Sequence, residues 1–195
     1  MANSGADTTE IVTLRTGDGE LEVSTLTELD AVIYACTMND NALDSKLREY
    51  LAGWADQYFI PDEVAARIDD ARRGDGLIFG IWAGTDDNRR FVGSYEYWQH
   101  QPGIYFANVW IDQAWRRKGI AERAGALLTM HMFDTVKARA LRAEIEKTNI
   151  PSQRVAERLG RQVLRAPGGL NNYATYEISH ERYREMHDLF VVAAR

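Results

Sequence analysis

Apolar and polar residues change rhythm several times along the chain, and each change marks an element. Residues 11–15 and 21–24 alternate over short spans about the turn Gly17-Asp18-Gly19, which predicts two short strands. Thr25-Leu26-Thr27-Glu28 has the form of a capping box, so a helix is expected from there to about Thr37, with another over 42–53. Pro61 occupies a first helical position, and Asp62 and Glu63 favour the first turn of a helix ending near Arg73, before Gly74-Asp75-Gly76. The rhythm then shortens to strands over 77–83, 91–98 and 104–111, divided by turn-rich pieces, as in an antiparallel meander. A long helix follows, with Ile120, Ala124, Leu127, Leu128, Met132 and Val136 on one face. Beyond it come a strand at 141–146, a helix at Pro151, strands at 162–164 and 173–178, and a last helix capped by Ser179. Tyr183, Met186, Leu189 and Phe190 form that helix's apolar stripe.

The junction at 111–121 carries the most chemistry. A strand rich in aromatic and β-branched residues ends at Ile111, and a basic loop leads straight into a helix. A helix N-terminus presents unpaired N–H groups and the positive end of its dipole. Gly119 permits close approach to the backbone, and Arg116, Arg117 and Lys118 add three positive charges. Such a turn suits a diphosphate; the plain alternative is a solvated basic turn.

The order of residues here goes further. Ile111, then Arg116, Gly119 and Ala121, fill a pattern in which a strand's last apolar residue is followed five positions later by Gln/Arg-x-x-Gly-x-Gly/Ala. This segment resembles the acetyl-CoA-binding segment of the GNAT superfamily of N-acetyltransferases. Asn149-Ile150-Pro151-Ser152, with Leu159-Gly160 closing the same helix, resembles the corresponding motif of the ribosomal-protein N-terminal acetyltransferase (RimJ/RimL-like) branch. The resemblance covers about residues 11–178 and is strongest from 104 to 164. It implies an α+β GNAT fold, a mixed central sheet flanked by helices, with the two central strands (104–111 and 141–146) splayed around the thioester. It also implies acetyl-CoA as co-substrate, a diphosphate held by Arg116, Arg117, Lys118, Gly119, Ile120 and Ala121, and thioester contacts from Val109, Trp110 and Ile111.

Acyl transfer to an amine needs a proton acceptor, an N–H donor for the developing oxyanion, and help for the departing thiolate. Many GNAT enzymes place a tyrosine seven residues after the motif asparagine, but Ala156 stands there. The resemblance then points to Ser152 for the thiolate and to Asn149 for the pantetheine arm. A helix cap and an Asx turn are the plain alternatives for these two. Glu96 lies among Tyr95, Tyr97 and Trp98 in mid-strand, where a half-buried carboxylate suits proton abstraction; a solvent-facing residue is the alternative, and His100 and Asp112 are other bases. Tyr95, Tyr97 and Trp98 are expected to wall the acceptor cleft. Arg161 follows Leu159-Gly160 where the family usually has Phe, which makes that edge of the coenzyme arm more polar.

Composition narrows the function further. The chain has 195 residues with a formal net charge of -6, so a basic nucleic-acid surface is not expected. Its single cysteine, Cys36, excludes an internal disulfide and a cysteine-rich metal site, and its apolar neighbours suggest a buried position. No metal is expected. Residues 1–10 are small and polar, which predicts a flexible tail ahead of a single domain over 11–195. The start lacks a signal-peptide pattern and no apolar run reaches membrane-spanning length, so a cytoplasmic protein, monomer or homodimer, is expected. Together these features predict an N-acetyltransferase acting on a primary amine, either a protein N-terminus or a small aminoacyl or antibiotic-like molecule. The alternative is a GNAT-shaped acyl-CoA-binding regulatory module without turnover.

Overall fold

The computed structural model describes residues 11–41, 59–74, 76–164 and 172–195. Within them one sheet has eight strands: β1 (Thr13–Arg15), β2 (Leu21–Thr25), β3 (Gly76–Ala83), β4 (Arg90–Gln101), β5 (Ile104–Ile111), β6 (Ala140–Glu146), β7 (Gln162–Leu164) and β8 (Tyr173–Ser179). Their order is β1-β2-β3-β4-β5-β6-β8-β7, and β5 and β6 are the parallel neighbours in an otherwise antiparallel sheet. Five α-helices accompany it among the described residues: α1 (Ala31–Asn41), α2 (Pro61–Arg73), α3 (Ile120–Asp134), α4 (Ile150–Arg158) and α5 (His180–Ala193). This is the mixed α+β sheet with helices that the sequence predicts.

The strands' period of two divides the core between the faces of the sheet. On one face, Tyr95, Tyr97, Phe79 and Ile81 pack with Leu127, Leu128 and Met132 of α3 and with Tyr183 and Phe190 of α5. On the other, Ile78, Trp82, Phe91 and Trp110 pack with Tyr34 and Met38 of α1 and with Val64 and Ile68 of α2. A smaller cluster holds α4, through Ala156, against Ala143, Ile145 and Tyr176.

Several details differ from the sequence reading. The first helix begins at Ala31 instead of at residue 25, because Thr25 ends β2 opposite Phe79. The reciprocal cap sits two residues later, where the Thr27 N–H donates to Asp30 Oδ2 at 2.8 Å. Cys36 is exposed on α1, because the helix's inward positions are taken by Tyr34, Ala35 and Met38. Leu189, expected in the stripe of α5, is 61% exposed, while Tyr183 and Phe190 turn inward. The helix predicted at 42–53 and the tail at 1–10 lie outside the described residues.

Candidate active site

β5 runs beside β6 for only three pairs, Ile104 with Ala140, Tyr105 with Leu141 and Phe106 with Arg142. From Ala107 to Ile111 it pairs with β4 alone, and from Ala143 to Glu146 β6 pairs with β8 alone. The two strands therefore part, leaving a gap that opens toward their carboxyl ends. Each strand leads into a helix, so the N-termini of α3 and α4 both follow that same edge. Open α/β sheets bind ligands in crevices of this kind.

Backbone direction decides which amides face the gap. Asp112 donates its N–H to the Val92 carbonyl of β4 at 2.9 Å. Peptide groups alternate along a strand, so Trp110 also faces β4, while the N–H groups of Val109 and Ile111 face the gap. Of the three backbone donors expected from the sequence, two are aimed there and Trp110 is not. The Trp110 side chain instead joins the core on the α1 face.

The β5–α3 loop is held open by its own side chains. Arg116 Nε donates to the Ile111 carbonyl at 2.9 Å, so this arginine braces the loop against the strand end. Lys118 Nζ lies 4.3 Å from the Trp115 ring centroid. Gly119 is the N-cap with φ of 73°, a left-handed conformation that a side chain would strain, and an added Cβ would find nothing within 4 Å. The first N–H groups that α3 engages are those of Glu122 and Arg123, both on the Gly119 carbonyl. Ile120 and Ala121 thus keep their N–H groups at the open end of the helix. Arg117, Lys118 and Gly119 are exposed beside them.

Across the gap, Asn149 caps α4: its Oδ1 accepts the Ser152 N–H at 3.2 Å. The asparagine therefore does the capping, and its Nδ2 remains a donor. The Ser152 hydroxyl, half-buried, makes no hydrogen bond within the described residues. α4 is tied back to α3 by the Arg158–Glu122 ion pair at 2.9 Å. Gly125 allows a close approach there, since an added Cβ would lie 2.6 Å from both Leu159 Cδ1 and Tyr95 Oη.

The expected acceptor wall divides between the two faces. Tyr95 and Tyr97 are buried beneath α3, with their rings stacked 6.0 Å apart, and Tyr95 Oη donates to the Ala121 carbonyl at 2.9 Å. They support the gap and the loop from below and do not wall a cleft on the α1 face. Glu96 and Trp98 point the other way, toward α1 and α2. Glu96 is 4% exposed, and its oxygens are already engaged by Tyr34 Oη at 3.1 Å, Arg67 Nη2 at 2.5 Å and Trp98 Nε1 at 3.3 Å. The carboxylate expected to be half-buried is almost fully buried, and it ties the helices to the sheet. Burial, and then the Glu96 charge, push the Tyr34 phenol above its ordinary pKa, so it donates as a neutral hydroxyl. His100 is exposed against Phe106, and Asp112 accepts the Ala114 N–H at 2.7 Å. Sequence reasoning missed Tyr34 and Arg67, whose partner is 62 and 29 residues away. It also missed Asn108, which is exposed on the Glu96 face and pairs with Glu96 across β4 and β5. The period of two places Asn108 opposite Val109, but only the register reveals its partner.

No group of three or more His, Cys, Asp or Glu side chains able to hold a metal ion occurs among the described residues. No helix among them is long and apolar enough to cross a membrane.

Comparison with known proteins agrees with this geometry. An acetyltransferase (GNAT) domain model matches residues 21–162, and no curated protein matches significantly. Among solved structures, the ribosomal-protein-S5-alanine acetyltransferase from Vibrio fischeri is 16% identical, with a TM-score of 0.73 over 87% of this chain and 97% of its own. RimL, a ribosomal L7/L12 α-N-protein acetyltransferase solved with coenzyme A, is 17% identical, with a TM-score of 0.71 over 87% and 98%. MccE, a microcin C7 self-immunity acetyltransferase solved with acetyl-CoA and AMP, is 18% identical, with a TM-score of 0.67 over 82% and 92%. These three share the fold, and the domain match spans most of the chain, which belongs to the GNAT acetyltransferase family.

Proposed function

We propose that this GNAT-type, acetyl-CoA-dependent acetyltransferase acetylates a primary amine, on a protein N-terminus or on a small aminoacyl or antibiotic-like molecule. The observation that carries the reading is the gap between β5 and β6, bordered by two helix N-termini and the inward N–H groups of Val109 and Ile111. The amine nitrogen bonds to the thioester carbon, the C–S pair leaves with sulfur, and one amine proton is lost. The Ile120 and Ala121 amides, with Arg117 and Lys118, hold the diphosphate, and Asn149 Nδ2 donates to the pantetheine arm. The Val109 and Ile111 amides receive the oxyanion. Ser152 donates its hydroxyl proton to the departing thiolate and regains one from solvent, so the hydroxyl is unchanged at the end of the turnover. With Glu96 engaged by three donors, the amine proton passes to water; an α-amino group of pKa ~8 is partly neutral near pH 7–8 and needs no strong base.

The likeness to RimL, to the S5 acetyltransferase and to MccE supports an acceptor of this type, because those proteins are named as acetyltransferases of protein α-amino groups or of a microcin self-immunity system. A contrast between neighbouring residues tests the chemistry. Ser152→Ala should lower the rate about tenfold to a hundredfold, at or below the low end for general-acid effects, with little change in acetyl-CoA affinity. Asn149→Ala should chiefly raise the apparent constant for acetyl-CoA. If Ser152→Ala weakens binding alone, or changes nothing, Ser152 is part of the helix start and solvent protonates the thiolate.

A further inference from the structure

Near the buried tyrosines beneath α3 lies a buried cation, Arg161, with no ion-pair partner among the described residues. Tyr97 pairs with Ala107, the first residue of β5 beyond its last β6 partner, so Tyr97 stands at the apex on the α3 face. Its hydroxyl has no hydrogen-bond partner among the described residues. Arg161 lies three residues beyond α4, directly ahead of β7, and is 6% exposed. Two residues earlier, Leu159 packs where Gly125 meets the Tyr95 hydroxyl, which fixes this end of α4 close to the tyrosines. Burial raises the phenol of Tyr95 to about 12 and that of Tyr97 further, and the Arg161 charge opposes both shifts from nearby.

Two nitrogens of Arg161, Nε and Nη2, are sealed from solvent with no partner among the described residues. Glu122, whose charge also reaches Tyr95, is taken by Arg158. Nε and Nη2 share one edge of the guanidinium, and their parallel N–H groups match the two oxygens of a carboxylate. An unpaired buried cation is costly, so this edge calls for an anion.

We propose that Arg161 and the Tyr97 hydroxyl form a carboxylate-binding subsite at the apex of the gap, and that the enzyme accepts short ω-carboxyacyl thioesters of coenzyme A beside acetyl-CoA. The inference rests on the gap being the thioester site. From the level of Val109 to that of Ala107 is two residues of strand, about 7 Å. A succinyl or glutaryl chain with one hydrogen bond of ~2.8 Å spans a similar distance, whereas an acetyl group is too short to do so. The transfer itself is unchanged: the amide bond forms, the C–S bond breaks, the thiol is released with a proton, and the distal carboxylate stays on the product.

Calorimetry on the full chain with CoA, acetyl-CoA, succinyl-CoA and free succinate tests the subsite. The parent should bind succinyl-CoA at least tenfold more tightly than acetyl-CoA. Arg161→Gln should abolish that preference. Tyr97→Phe removes only an unpartnered hydroxyl, so it should fold like the parent and reduce the preference severalfold. Equal affinities in the parent, or a preference that both variants keep, would overturn the proposal. Arg161-dependent binding of free succinate without a preference among thioesters would overturn the assignment to the acyl donor. If acetyl-CoA binds and no preference is found, the subsite alone falls; if no thioester and no CoA binds, the reading of the gap falls with it.

Discussion

Replacing Glu96 by glutamine tests what this buried carboxylate does. The side chain is 5% exposed and its Arg67 partner 28% exposed, with Tyr34 and Trp98 completing the set. Glutamine keeps the shape and one acceptor oxygen but removes the negative charge that faces Arg67 beside the Trp98 ring. Breaking a fully buried pair costs about 3–5 kcal/mol, and because Arg67 can turn partly to water the loss here should be about 2–4 kcal/mol. At 2–4 °C per kcal/mol for a chain of this size, the thermal midpoint should fall by roughly 5–15 °C. Urea unfolding of Glu96→Gln, Arg67→Met and the double variant gives the coupling, expected at about 1–3 kcal/mol. The pH–rate profile of Glu96→Gln, measured below its midpoint, should keep its acid limb. A stability loss under about 0.5 kcal/mol together with a flattened acid limb would refute this and make Glu96 the proton acceptor.

Two further substitutions probe the loop and the core. Gly119→Glu should weaken CoA binding by more than about tenfold, ~1.4 kcal/mol, because a carboxylate then stands at the phosphate's place. Gly119→Asn, which tolerates the left-handed φ without adding charge, should lose much less; unaltered binding in the glutamate variant would remove the loop from the diphosphate site. His131 is buried against Phe79, and burial holds its pKa below the ordinary value of 6.5. The unfolded chain then binds the proton more readily, so stability should be fully present above about pH 6.5 and fall as the pH drops toward the folded-state pKa. His131→Gln should flatten that dependence, and an unchanged slope in urea titrations from pH 7 to 5 would contradict it.

The strand–loop–helix at 104–134 was legible in the sequence because local signals agree there. A β-branched, aromatic strand stops at Asp112, a glycine sits at the helix entry, and the apolar residues beyond it keep helical spacing. The capping box was harder, since Thr25 and Thr27 both fit a threonine-plus-acid pattern and only the pairing of Thr25 with β3 assigns it to a strand. The period of two correctly separates Tyr95 and Tyr97 from Glu96 and Trp98, but it does not say which helices cover each face. That is why tyrosines expected in an acceptor cleft lie under α3. The engagement of Glu96 was not legible for a related reason: its partners Tyr34 and Arg67 come from two helices, and no local pattern announces such a tie. Arg161 was visible as a departure from Phe, yet its burial depends on how α4 lands on Gly125.

Acceptor-dependent release of the CoA thiol is the decisive measurement for acyl transfer at the β5–β6 gap. The full chain would be incubated with acetyl-CoA and a panel of free-N-terminal peptides and small aminoacyl amines, with products weighed by mass spectrometry. Thiol should be released in step with one acetyl group gained by an amine, and Ser152→Ala should reduce both signals. Tight CoA binding without acceptor-dependent thiol release or acetylated product from any amine would contradict it, and would make the chain a coenzyme-binding module.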